Sequence, residues 1–478
     1  MIFMSVSEVA RATGAAVLLE GARDVAGEVV IDSRAVGAGG LFVAFAGEHV
    51  DGNAYLASAA GLGAAAVVAS AEPAPEALAA CREAGCAVLR AEGDDCEEFL
   101  LRLARAWRER HPGWLVVGVT GSVGKTTTKE MLAAAVGSQR RCHATTGNLN
   151  NLIGLPLTVL SAPEDSEVLV CELGMNHPHE IERMAAACEP TLACITNVGT
   201  SHIGLLGSRE NIARAKAEIV SGMRAHGELA PALALTSAGD FTPFIAERYA
   251  APAGVDVVLV GAPGDAVWAE GVTLDAEGRA SATLRCADGW SRTVVLSVPG
   301  RAAVVDLTLA LALVWRLGLD RDEAVSAVEA MPAAHMRLEV ESAPSGARVI
   351  DDSYNAAPAS MASSLDVLAD MAVEGRRVAV LGEMGELGDE GPRLHGYVGA
   401  YAAAKGVDLL VLVGGPLADE MAEAARTMGL SEDAIERFAT AEEAADVMGP
   451  VLAAGDVVLV KASRSVGLDR FVRRVLAR

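Results

Sequence analysis

Positive charge is in short supply in this chain. Lys and Arg number 39 against 63 Asp and Glu, and the net charge of −24 argues against a nucleic-acid partner, whose binding rests on neutralised phosphates. That field also repels small anions, so an anionic ligand has to be held by local groups and metal ions. Long apolar runs are missing too. The longest, Ala302 to Trp315, is interrupted by Asp306 and Thr308 and falls short of the roughly 20 residues that span a bilayer. The start, MIFMSVSEVARATG, carries Glu8 and has no basic region leading into an apolar one, so it does not read as a signal peptide. These absences point to a cytoplasmic protein that spans no membrane. The eight cysteines include no C-x-x-C pair and several sit inside apolar runs, so free, mostly buried thiols are expected.

Half of the residues are apolar, which permits large cores, and 478 residues exceed what one core accommodates, so about three domains are expected. The stretch around which the rest is arranged is VGVTGSVGKTTTKEMLAAAV, Val117 to Val136. Trp114 to Val119 reads as a buried strand, Gly121 to Gly124 as a glycine-punctuated turn, and Lys125 to Val136 as a helix of good formers. Strand, glycine turn and helix make a phosphate cradle, because N–H groups of the turn and of the helix start point at a common anion. The cradle is Thr120, Gly121, Ser122, Val123, Gly124, Lys125, Thr126 and Thr127, with Lys125 along the phosphates and the Thr126 hydroxyl on Mg²⁺. The commoner spacing would need glycine at position 119, where Val119 stands.

Several polar clusters flank the cradle. Residues 1 to about 108 read as a small α/β domain, with strands at Val29 to Ile31, Leu41 to Phe45 and Ala65 to Ala69 and a helix at Ala54 to Ala60. Its Asp32-Ser33-Arg34 triplet either binds a polar ligand or forms an Asx-type turn, and the residues alone favour the turn. A helix from Glu97 to Arg110 leads to His111-Pro112-Gly113, a domain boundary by its turn residues. Asn148, Asn150 and Asn151 crowd a turn before a helical run, where amides serve equally as ligand contacts or as caps. The strand Glu167 to Glu172 delivers Glu172 to its carboxyl end, where ligands of open α/β sheets lie, and a carboxylate there suits a metal. His202 follows the strand Leu192 to Val198, with coordination and a structural role both open. Lys216 emerges within the apolar stripe of a helix expected over Glu210 to Met223. Burial disfavours its charged form, and a neutral amine can take up carbon dioxide as a carbamate, an oxygen ligand for Mg²⁺. On the residues alone, snorkelling of the ammonium to water is the better reading. Residues 265 to 298 read as antiparallel hairpins added to the central sheet. From about Arg337 the chain repeats strand and helix, with strands at 347–351, 377–382, 408–413 and 456–461, which gives a second, smaller parallel sheet.

Taken together and in this order, TGSVGKTTTKEM, GNLNN, CELGMNHPHEI, NVGTSHIG, ARAKAEI, MRLE, DDSYNAAPASM, LGEMGELG and KASR resemble the Mur ligases through nearly the whole chain. The resemblance implies an α/β protein of three domains: an N-terminal UDP-substrate domain over 1–110, a central ATP-binding P-loop domain over 111–335 and a C-terminal Rossmann-like ligase domain over 336–478. It implies an ATP-dependent amide ligase of peptidoglycan precursor synthesis, acting as a monomer on UDP-N-acetylmuramoyl-tripeptide and D-alanyl-D-alanine through an acyl phosphate. Family correspondence assigns Lys125 and Thr126 to ATP and Mg²⁺, Glu172 and His202 to magnesium, and Lys216 to a carbamoylated lysine, now the favoured reading. It sets Arg337 toward the nucleotide phosphates, and Asp306, Asp352, Tyr354 and Asn355 on the nucleotide side of the cleft. Asn148, Asn150 and Asn151, together with Lys461, Ser463 and Arg464, fall on the substrate side, and Ser33 and Arg34 where the UDP part is held. The chain departs from the family at Ala302, Ala303 and Asp306, where His-Asn and a second Asn that holds adenine are usual, around Thr236 to Asp240, and at Ala462 for a glycine. Two other readings stay open: a sibling muramoyl or folylpolyglutamate ligase, and a nucleotide-binding paralogue with altered activity.

Overall fold

The structure is a computed structural model that describes residues 1–47 and 50–477. Short apolar strands alternate with helices along most of the chain, and a crossover helix between neighbouring strands leaves them parallel. Four sheets result. An antiparallel pair, Ile2–Ser5 with Asp24–Gly27, precedes a five-stranded sheet ordered Ala16–Leu19, Ala87–Arg90, Ala66–Ala69, Leu41–Val43, Val29–Val30. The central sheet has nine strands, in the order Ser291–Pro299, Arg279–Cys286, Val267–Leu274, Asp256–Val260, Ala232–Thr236, Leu192–Ile195, Leu115–Thr120, Val168–Glu172, Cys142–Ala144. The last six of these are parallel, and the first three form the antiparallel extension expected over residues 265 to 298. The third sheet runs Glu339–Ser342, Arg348–Asp351, Val457–Lys461, Arg377–Gly382, Leu409–Val413, Ile435–Phe438.

The run Ala302 to Trp315 becomes the helix Ala302–Arg316, buried nearly all round beneath the central sheet. Its apolar length therefore serves the core. Among the described residues no helix is long and apolar enough to cross a membrane. The opposite face of that sheet shares one continuous core with the N-terminal region, through Phe99, Leu103, Trp107 and Trp114. His111, expected as part of a linker, is instead stacked against Trp114 with ring centroids 4.1 Å apart. All eight cysteines are free, and Cys142 alone is not buried.

The structure corrects the sequence reading at three places. The strand expected over Leu192 to Val198 stops at Ile195, because Thr196 and Asn197 leave the ladder to hold the glycine turn. The helix expected to Met223 is α-helical only over Arg209–Ala217 and tightens to 3-10 over Glu218–Gly222. There Glu218 accepts the His179 and Glu182 N–H groups at the start of the helix Glu180–Cys188, which draws its own turn aside. The third sheet is not wholly parallel, since Glu339–Ser342 pairs antiparallel with Arg348–Asp351 as an edge strand entered straight from the preceding lobe. The structure also adds two parallel strands to the central sheet that the sequence reading did not name, Ala232–Thr236 and Asp256–Val260.

Candidate active site

The glycine turn is built by what surrounds it. Gly121 has φ +152°, and a Cβ there would fall 1.8 Å from Thr196 Oγ1. Gly124 has φ +83°, and its Cβ would fall 2.5 Å from the Asp306 carboxyl. Neither position admits a side chain. Asn197 clamps the turn from the neighbouring strand end: its Oδ1 accepts Ser122 N at 3.2 Å and Val123 N at 3.0 Å, while its Nδ2 donates to Val123 O. The first intrahelical bond of Lys125–Gly137 is Thr128 N to Gly124 O, so the Lys125, Thr126 and Thr127 N–H groups precede it and face outward. Asn197 and Thr196 went unread in the sequence; the signal was two polar residues directly after a run of four buried apolar ones.

A cleft of about 550 Å³ lies over this turn, between the carboxyl edges of the central and third sheets. Glu172 sits at its floor, 1 % exposed. One of its oxygens accepts Thr126 Oγ1 at 3.0 Å and the other accepts Asn150 Nδ2 at 2.8 Å, while its own N–H is taken by Thr145. Lys216 reaches the same cleft and is 2 % exposed. Among the described residues no hydrogen bond or ion pair satisfies its amine. Burial, reinforced by the nearby Lys125 ammonium, pushes Lys216 well below the usual lysine range. A snorkelling lysine carries its head out to bulk water, whereas the Lys216 side chain is buried and ends in the cleft. Lys125 is also lowered by burial, with Glu172 opposing and Arg337 assisting, and it donates to Gly121 O at 2.9 Å. Two oxygen atoms 3.0 Å apart, in one cleft with an unpaired amine whose charged form burial disfavours, suit a hard divalent cation if the amine becomes a carbamate.

The remaining predicted residues divide. His202 lines the cleft, with Nδ1 2.5 Å from Glu386 Oε2, and this ring holds the Glu386 carboxyl below its usual value. Arg337 enters the cleft with its guanidinium 4.3 Å over the Tyr354 ring, on a segment where Met336 and Leu338 both have positive φ. Such backbone costs on the order of 1–3 kcal/mol per residue and is typically held only where the surroundings over-determine it. Asp352 accepts Lys461 Nζ at 2.5 Å and Ser364 Oγ at 2.6 Å, and Lys461 also donates to Asn355 O. Lys461 is therefore spent orienting the Asp352 loop. Ser463 Oγ accepts Gly385 N, and Arg464 lines the cleft near Met336. Asn148 and Asn150 face the cleft, whereas Asn151 caps the helix Gly154–Ser161 by accepting Gly154 N at 2.8 Å. Ser33 and Arg34 are not brought to it. Arg34 points to solvent and pairs bidentately with Asp32, whose Asx-type bond to Arg34 N realises the turn reading and whose carboxyl is held down at about 2. A larger cavity of about 1230 Å³ behind the cradle helix shares Thr126, Arg337, Tyr354 and Arg464, but it lacks Glu172, His202 and Lys216, so the chemistry belongs to the smaller one.

Asp306 is the departure that the structure makes intelligible. Its carboxyl packs on Gly124 and is pushed by burial from 3.8 up to about 8, with the Thr128 side chain pulling weakly the other way. The folded state therefore binds the extra proton between about pH 4 and pH 8, and stability declines as pH rises through that window. Asp306→Asn is expected to melt above the wild type by a margin that widens from pH 5 to pH 8 in scanning calorimetry. A constant margin would mean that the carboxyl ionises freely.

A glycine cradle on a mostly parallel central sheet, faced by a second mostly parallel sheet that brings its own polar edge, is the arrangement of a class of ATP-dependent amide ligases. The chain belongs to the Mur ligase family: the family's catalytic domain matches residues 26–107, its middle domain 119–314 and its glutamate ligase domain 336–464. Within the family, the UDP-N-acetylmuramoyl-tripeptide–D-alanyl-D-alanine ligase of Bacillus subtilis is 33 % identical over 94 % of this chain and 93 % of its own. MurF from Acinetobacter baumannii superposes with a TM-score of 0.85 at 27 % identity, covering all of both chains. MurF ligase from Thermotoga maritima in complex with ADP gives a TM-score of 0.79 at 26 % identity, over 95 % of this chain and 98 % of that one.

Proposed function

We propose that this chain joins D-alanyl-D-alanine to UDP-N-acetylmuramoyl-tripeptide with ATP, in peptidoglycan precursor synthesis. The observation that carries the reading is that Thr126, Glu172 and Lys216 converge on one cleft in a chain similar over its full length to enzymes of that name. The Lys125–Thr127 N–H groups and the Lys125 ammonium would hold the triphosphate. The neutral Lys216 amine would add carbon dioxide, forming an N–C bond and releasing a proton to water, and the carbamate would join Thr126, Glu172 and His202 as oxygen and nitrogen donors. Bound magnesium would neutralise charge on the phosphoryl oxygens during transfer. The γ-phosphoryl group passes to the tripeptide carboxylate, and ADP leaves. The dipeptide amine then attacks the acyl phosphate carbonyl, and phosphate leaves with the C–O bond. Arg337 and Lys125 offset the negative charge of the transferring group, while Asp352, Tyr354, Asn355, Ser463 and Arg464 close the cleft from the third sheet. Positioning and charge supply most of the rate.

We place domain boundaries near 110/111 and 335/336, a division supported by the position of His111 and of residues 331–337 between the sheets. We place the enzyme in the cytoplasm as a monomer, where its nucleotide substrates are. Phosphate release measured with each muramoyl peptide, folate and amine in turn tests the reading. Release is expected only when UDP-N-acetylmuramoyl-tripeptide and D-alanyl-D-alanine are both present. ATP hydrolysis indifferent to both would count against the assignment.

A further inference from the structure

Among the places where the two lobes that form the cleft meet, one has unusual backbone on both sides. His202 leads into the one-turn helix Ile203–Leu206 of the central lobe, and Glu386 lies on the loop after the strand Arg377–Gly382 of the third sheet. Gly204 N donates to Glu386 O at 3.1 Å. A Cβ on Gly204 would stand 2.4 Å from Gly388 N and 2.6 Å from Leu387 C, so only glycine allows the two backbones to meet. His202 has φ +64° and Glu386 φ +63°, a conformation that such side chains rarely adopt. The contact is thus built at some cost in both lobes, and it ends with the Glu386 carboxylate 2.5 Å from His202 Nδ1.

A metal-binding histidine almost always gives its second ring nitrogen to a carboxylate, carbonyl or water, which fixes tautomer and ring orientation. Here the Glu386 carboxylate lies at ion-pair distance from Nδ1 without the alignment of a hydrogen bond, which leaves Nε2 for a ligand, and His202 lines the same cleft as Lys216 and Glu172. We propose that Glu386 is a positioning residue for His202: when the third-sheet lobe closes on the central lobe through the Gly204–Gly388 contact, Glu386 orients the imidazole, and only then is the histidine contact to the divalent ion complete. The proposal rests on the reading of His202 as a metal contact. It makes closure and metal binding two sides of one equilibrium, since each must strengthen the other by the same factor.

The test uses the full-length protein with a non-hydrolysable ATP analogue and UDP-N-acetylmuramoyl-tripeptide. Mn²⁺ binding is followed by electron paramagnetic resonance of the free ion, and compactness by small-angle X-ray scattering. Glu386→Ala is expected to weaken Mn²⁺ binding roughly 10–100-fold, the usual scale for losing such an outer partner. Glu386→Gln, whose amide oxygen can accept from Nδ1 once the lobes close, is expected to recover most of the affinity. Gly204→Ala keeps both side chains but blocks the approach, and is expected to weaken Mn²⁺ binding and to leave the liganded protein more extended. Loss of affinity in His202→Ala with none in Glu386→Ala or Gly204→Ala overturns the proposal while His202 stays a ligand. Unchanged affinity in all three variants overturns the metal reading of His202 itself.

Discussion

Lys216→Ala is expected to lower kcat on the order of 10³-fold, the scale of removing a preorganised electrostatic element from a dry site. Lys216 is buried, lowered well below the lysine range by burial and by the Lys125 ammonium, and has no other role for its amine in the packing around it. The alanine variant keeps Ile212, Ile219 and Val220 in the core and is expected to fold. Added bicarbonate should not restore its activity, because the nitrogen that captures carbon dioxide is gone. Short carboxylic acids, which return an oxygen ligand to the vacated space, should restore part of it. Steady-state phosphate release with and without acetate reads both effects, and wild-type turnover in Lys216→Ala would remove the carbamate from the mechanism.

Lys125→Ala is expected to be comparably severe, roughly 10³-fold in kcat/KM for ATP, with nucleotide affinity also reduced. Lys125 is the cation at the mouth of the glycine turn, and its bond to Gly121 O holds the ammonium over the cradle. The surrounding net charge of −24 supplies no substitute, since the wider field repels the nucleotide. Calorimetric titration with ADP and initial rates in excess ATP separate the two losses. Turnover within tenfold of the wild type would mean that the triphosphate does not lie along the turn.

Much of this was legible beforehand because local rules carry it. A β-branched run, two glycines with forced conformations and a helix start are adjacent in the chain, so the cradle is a local object. The carboxyl end of Val168–Glu172 is equally local, and it delivered Glu172. Reading failed where a residue's role is set by a distant partner. Asn197 clamps a turn some 75 residues earlier, Lys461 is drawn to Asp352 across 109 residues, and Glu386 meets His202 from another lobe. None of these pairings leaves a periodic trace.

The sequence by itself determined the α/β class, the glycine turn, the strand-end glutamate and the order of motifs that marks the family, because each depends on neighbours within a few residues. Only the tertiary structure decided that Lys216 is buried with its amine in the cleft, that Asn151 caps a helix while Asn150 grips Glu172, that Arg34 turns to solvent on Asp32, and that the Asp306 carboxyl is packed against Gly124. Those outcomes depend on which strands become neighbours and on how closely the lobes approach, and burial of that kind is a property of the assembled sheets.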